Sequence, residues 1–138
     1  MEESLKKIID NLTKEISKQV KNELLNKVSE KNGLTIIAEK IDLPNSDAIK
    51  NISFELKNQL QNLFMLVGAE VEGKAHLSLI ISDNLVKEKN LDAVKIIREL
   101  SKEIQGGGGG QAFYATAGGK NPQGIDKAIE NINNFLPA

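Results

Sequence analysis

From Glu2 to about Lys31 the chain has no Gly or Pro, and Leu5, Ile8, Ile9, Leu12, Ile16, Val20, Leu24 and Val28 recur at helical spacing among lysines and acidic residues. That pattern predicts one long amphipathic helix. Its apolar steps suit a straight helix better than a strict heptad seam, so Leu5, Ile9, Leu12, Ile16 and Val20 read as a stripe for an antiparallel hairpin or a loose dimer. Asn32-Gly33 is expected to close the helix, because glycine tolerates the left-handed cap conformation.

Beyond Gly33 the pattern changes. Leu34 to Ile41 is short and rich in β-branched residues, which predicts a strand; after Leu43-Pro44-Asn45, Ser46 or Asp47 caps a helix reaching about Gln61, with Ile49, Ile52, Leu56 and Leu60 inward. Leu63 to Val71 and Ala75 to Ser82 are apolar runs separated by Glu72-Gly73-Lys74, the mark of a β-hairpin. A helical turn follows at Asp83-Asn84, then a full helix over Leu91 to Ile104 with Val94, Ile97, Leu100 and Ile104 on one side. A short strand over Ala112 to Ala117 and a last helix from about Pro122 to Leu136 complete the chain. The expected architecture is α/β (α+β): a small mixed β-sheet covered by helices in residues 33–138, preceded by the helical segment 1–31.

Composition narrows the function classes. The chain has 138 residues, enough for one domain with its own core, and 18 basic against 19 acidic residues leave a net charge of -1. There is no global positive field of the kind that announces nucleic-acid binding, so any such contact must be local. With no cysteine, disulfides and thiolate metal sites are excluded. The apolar runs are too short to span a bilayer and no signal peptide is visible, so a cytoplasmic location is expected.

The stretch Gly106 to Gly110, continued by Gln111-Ala112-Phe113-Tyr114-Ala115-Thr116-Ala117-Gly118-Gly119, is the candidate site. Five glycines are entropically costly to order, so a fold carries them where bare backbone must approach something closely. The run is placed at the join between helix and strand, as a pliant segment. It lacks the Gly-Lys-Ser/Thr ending of a phosphate-binding loop and the spaced glycines of a dinucleotide fold. Phe113 and Tyr114 suggest stacking on an exposed base, one ring outward and one inward if both lie in a strand. Lys120 and Asn121 add a phosphate contact and a polar reach. No catalytic set emerges: His76 is the single histidine, expected half-buried or on the surface of a strand, and no serine has a visible base.

These residues resemble a known family. Gly106 to Gly110 followed by Ala115-Thr116-Ala117-Gly118-Gly119 resembles the glycine-rich block of the DHH-associated domain at the C-terminus of alanyl-tRNA synthetases, and the flanking helices fall where that family has them. The resemblance covers Gly33 to Ala138 in outline. It implies a tRNA-binding fragment that contacts the outer corner (elbow) of tRNA through Gly106, Gly107, Gly108, Gly109, Gly110, Gln111, Phe113, Tyr114, Thr116, Gly118, Gly119, Lys120 and Asn121, with no catalytic residue, metal or cofactor of its own. ATP, magnesium and zinc would belong to upstream domains that charge tRNA with alanine and hydrolyse mischarged tRNA, and residues 1–31 to the helical segment that helps form a homodimer. Many members carry Arg or Lys where this chain has Gln111, which weakens the expected phosphate contact. The alternatives are a dimerisation module with little tRNA affinity, or the substrate-binding domain of a DHH phosphoesterase. The latter is disfavoured by Gln111 and by the lack of an Asp-His-His motif.

Overall fold

The computed structural model describes residues 15–31, 33–43 and 46–135. Its centre is a six-stranded mixed sheet in the order β1-β2-β3-β4-β6-β5. The strands are β1 (Ser29–Lys31), β2 (Leu34–Lys40), β3 (Leu63–Val71), β4 (Lys74–Ile81), β5 (Gly106–Gln111) and β6 (Tyr114–Gly119). Only β2 and β3 run parallel, joined by the crossover helix α2 (Ser46–Gln59); the other neighbours are antiparallel. The β3–β4 hairpin turns on Glu72 and Gly73, both at positive φ (53° and 79°). Two left-handed residues match the right-handed twist of the strands they connect, and glycine takes the second position without a Cβ penalty.

Strand alternation sends two sets of side chains to opposite faces. On one face Ile36, Phe64, Leu66, Leu77, Leu79, Ile81, Ala115 and Ala117 pack under α3 (Asp83–Glu88), α4 (Ala93–Leu100), a 3-10 turn at Ser101–Ile104 and α5 (Ile125–Asn131). Asp92 caps α4 by accepting a 3.0 Å hydrogen bond from the Val94 amide. On the other face Ile37, Met65, Val67, Ala69 and Ile80 meet Ile49, Ile52 and Leu56 of α2, and Val20 and Leu24 of α1, the helix through residues 15–26. Because β3 is covered on both sides, Leu63 to Ala69 are buried without interruption.

Three expectations change. The first helix ends at residue 26 rather than near Lys31, and Ser29–Lys31 instead pairs with β2, so the ladder crosses the boundary drawn between residues 31 and 33. The C-terminal end of the apolar stripe also finds a partner within the chain: Val20 is only 6% exposed and joins Leu24 against the sheet, while Lys21 reaches Glu55 of α2 at 3.4 Å. The glycine run is a strand, not a pliant join, because β6 supplies a complete antiparallel ladder from Gly106↔Gly119 to Gln111↔Tyr114. Correspondingly β6 starts at Tyr114, and the long C-terminal helices break into shorter α and 3-10 segments.

Candidate nucleic-acid interface

Along β5 the glycines divide by face. A Cβ on Gly106, Gly108 or Gly110 would overlap the carbonyl oxygens of Gly118, Thr116 and Tyr114 respectively. At Gly108 it would also come within 2.7 Å of the Ala117 Cβ. Gly110 adds a φ of 151°. These three positions require glycine for β5 to lie against β6 at all. Gly107 and Gly109 differ: a Cβ on either would meet nothing within 4 Å, and one on Gly118 would meet only the Ala75 carbonyl oxygen, at 4.0 Å.

The register arranges this open side in rows. Gly107, Gly118 and His76 are cross-strand neighbours, as are Gly109, Thr116 and Ser78, and then Gln111, Tyr114 and Ile80. Helices α1 and α2 cover β2, β3 and part of β4 on this face. The glycine-lined part toward β5 has free space above it. The arrangement is a flat strip of peptide backbone, bounded on one side by side chains from β4.

One end of the strip is aromatic. Phe113 lies in the turn between β5 and β6 rather than in a strand, so strict alternation does not apply, and both Phe113 and Tyr114 are half-buried. Their rings pack on Phe54 of α2, with centroids 6.3 Å and 5.0 Å away. Lys57 Nζ sits 4.3 Å from the Phe113 centroid and 3.1 Å from Asp83 Oδ1, tying the turn to α2 and α3. The turn's carbonyls are engaged too: the Ile81 amide donates to Phe113 O at 2.8 Å and the Ala93 amide to Ala112 O at 2.9 Å. The tip is therefore fixed by the body of the protein.

Two titratable groups border the strip. Burial pushes the Tyr114 phenol up from 10.0, with the neighbouring Ser78 hydroxyl as a smaller opposing influence, so the ring stays neutral at ordinary pH. His76 is half-buried and its pKa is lowered from 6.5 by desolvation, which favours the neutral imidazole. Its Nε2 is screened from solvent and has no hydrogen-bond partner. An unsatisfied buried group of this kind costs about 1–3 kcal/mol.

Of the residues singled out in the sequence, Gly107, Gly109, Gln111, Tyr114, Thr116 and Gly118 share the open face. Gly106, Gly108, Gly110 and Gly119 alternate toward the helix-covered side, where a Cβ on Gly119 would overlap the Ile104 carbonyl. Lys120 is exposed beyond the strand end, and Asn121 is bound inward, its amide donating to Ile104 O at 3.0 Å. Leu5, Ile9 and Leu12 lie outside the described residues; of the rest of that stripe, Val20 is buried and Ile16 is 40% exposed. Sequence reasoning missed Phe54 and Lys57. Phe54 sits off the stripe of Ile49, Ile52 and Leu56, and a large apolar residue off a stripe was the available signal. Among the described residues no group of three or more His, Cys, Asp and Glu is placed to hold a metal ion, and no helix is long and apolar enough to cross a membrane.

The chain is similar to known proteins over most of its length. Residues 33–138 match the family described as the DHHA1 domain. The alanine–tRNA ligase of Christiangramia forsetii is 47% identical over 133 residues, which cover 96% of this chain and 15% of that protein. That of Cytophaga hutchinsonii is 46% identical over 132 residues, again 96% and 15%. The chain thus spans about 15% of the length of these curated relatives. Among solved structures, the C-Ala domain of Aquifex aeolicus alanyl-tRNA synthetase shares the fold, with a TM-score of 0.71 at 20% identity over 80% of this chain and 98% of that one.

Proposed function

Because the chain belongs to the DHHA1 domain family, we propose that it acts as the C-terminal, tRNA-contacting part of an alanine–tRNA ligase. The observation that carries this reading is the open strip of Gly107, Gly109 and Gly118 beside the fixed aromatic edge of Phe113, Tyr114 and Phe54. Bare peptide accepts the face of an unstacked base or the edge of a ribose at contact distance, and the aromatic edge offers apolar surface next to it. Such a surface reads shape, which suits the outer corner of a folded tRNA better than a regular helix. In the parent enzyme the contact would hold one tRNA while aminoacylation and editing domains act on its far end. ATP, magnesium and zinc would serve those domains, and this segment would have no catalytic role.

Backbone amides and glycines carry no net charge, and Gln111 replaces a possible cation, so affinity should be modest and weakly dependent on salt. Each phosphate neutralised by a side chain would instead steepen the slope of log K against log salt by about 0.7–0.9. Fluorescence anisotropy with labelled tRNA at several salt concentrations tests the proposal. Gly109→Val, which puts a side chain into the open space without touching the fold, should weaken binding by about tenfold or more while leaving the melting temperature near that of the parent. A steep slope with Gly109→Val binding normally would contradict the proposed contact.

A further inference from the structure

We propose that a polar cleft beside the aromatic edge reads the hydrogen-bonding edge of an unpaired base from the RNA held on the strip. The inference rests on the tRNA-contact reading above and adds a second subsite to it. The cleft, of about 520 Å³, is open to solvent and lined by Lys57, Asn58, Gln61, Asn62, Asp83 and Asn84. A cleft of this size admits one nucleoside. Two features join it to the aromatic edge. Phe54, which carries the rings of Phe113 and Tyr114, lies one turn before Lys57 and Asn58 on the same flank of α2. Lys57, a wall of the cleft, also has its Nζ 4.3 Å from the Phe113 ring centroid. A nucleotide leaving the aromatic edge along this flank therefore meets the cleft next.

The lining sets the chemistry of the ligand. Lys57 and Asp83 pair at 3.1 Å, so their charges offset each other and the cleft is poorly suited to clamp a phosphate. The other four side chains are carboxamides, each a donor and an acceptor. Asn84 Nδ2 donates to Asn62 Oδ1 at 2.5 Å, which leaves the Asn62 amino group and the Asn84 carbonyl without a protein partner among the described residues, as are the amides of Asn58 and Gln61. Asn58, Gln61 and Asn84 are exposed, so a ligand can reach them. Donors and acceptors side by side match the polar edge of a base, which presents both. The site is also preformed. The Leu63 amide donates to Ser82 Oγ at 2.8 Å and the Ser82 amide to Leu63 O at 2.9 Å, while Asn62, at a φ of 54°, accepts from the Thr35 amide at 2.8 Å. Little ordering is then needed when a base enters.

The test compares the full chain with its Gln61→Ala and Asn62→Gly variants, with an unmodified tRNA transcript as the probe. Glycine keeps the left-handed backbone at position 62 and Gln61 is exposed, so both variants should melt near the parent temperature. Each should weaken binding by about three- to tenfold with an unchanged salt slope. The side-chain amide resonances of Asn58, Asn62 and Asn84 in the parent should shift on adding RNA. If Asn62→Gly folds poorly, Gln61→Ala and those resonances decide the matter. The inference is overturned if the folded variants bind like the parent while Gly109→Val does not, an outcome that leaves the tRNA-contact reading standing. Side-chain resonances that stay in place at saturating RNA overturn it as well, and leave the cleft to a protein contact or to none. If the parent chain binds no tRNA, the reading and this inference fall together.

Discussion

At the scale of single residues, alternation within the glycine strand separates two roles that composition alone merges. Gly108 faces the Thr116 carbonyl and the Ala117 methyl, so any side chain there must push β5 away from β6. Gly108→Val should destabilise the domain by about 1–3 kcal/mol, the usual cost of overpacking, and lower the melting temperature measured by circular dichroism. Loss of RNA binding in that variant would therefore report on folding, not on contact. Gly109→Val is the informative partner, because its side chain enters free space and valine suits a strand. Equal melting temperatures for the two variants would mean that the close β5–β6 approach is not what the glycines are for.

At the scale of elements, the first described helix is part of the sheet's cover. Val20 and Leu24 close the α2 side of the core, and Lys27 lies 3.8 Å from Glu39 of β2. Val20→Asp would bury a charge with no partner and should cost roughly 3 kcal/mol or more in chemical denaturation. Ile16→Asp, at an exposed position on the same helix, should change stability by less than about 0.5 kcal/mol. A small effect at Val20 would show that α1 is not docked as described.

The same elements show what the sequence makes legible. The β3–β4 hairpin was readable to within a residue because two apolar runs flank a Gly-containing turn, and the strand after Gly33 because β-branched residues cluster there. Strand β1 was not, since Ser29-Glu30-Lys31 has no apolar pattern and owes its conformation to the edge of β2. Nor was β5. Glycine has little intrinsic strand preference, and the reason these glycines pair, the close approach to β6, exists only once the tertiary structure is formed. The site was legible in part for the same reason: the motif marked the segment, but which glycines face outward depends on register, and Phe54, Lys57 and His76 come from elements remote in sequence.

At the scale of the whole molecule, one half of one sheet face carries the proposed activity and the rest of the structure holds it still. Helices α4 and α5 brace the sheet from behind, α2 fixes the aromatic edge, and the overall charge of -1 contributes no long-range attraction to RNA. On the proposed reading, binding comes from complementarity over a small area, which would suit a module that assists a larger enzyme rather than capturing tRNA unaided. The most direct measurement is amide chemical-shift mapping of the chain during titration with tRNA. The largest changes should cluster at Gly107, Gly109, Phe113, Thr116 and Gly118, on the strip and its aromatic end. Changes confined to α4 and α5, on the opposite face of the sheet, would contradict the central claim.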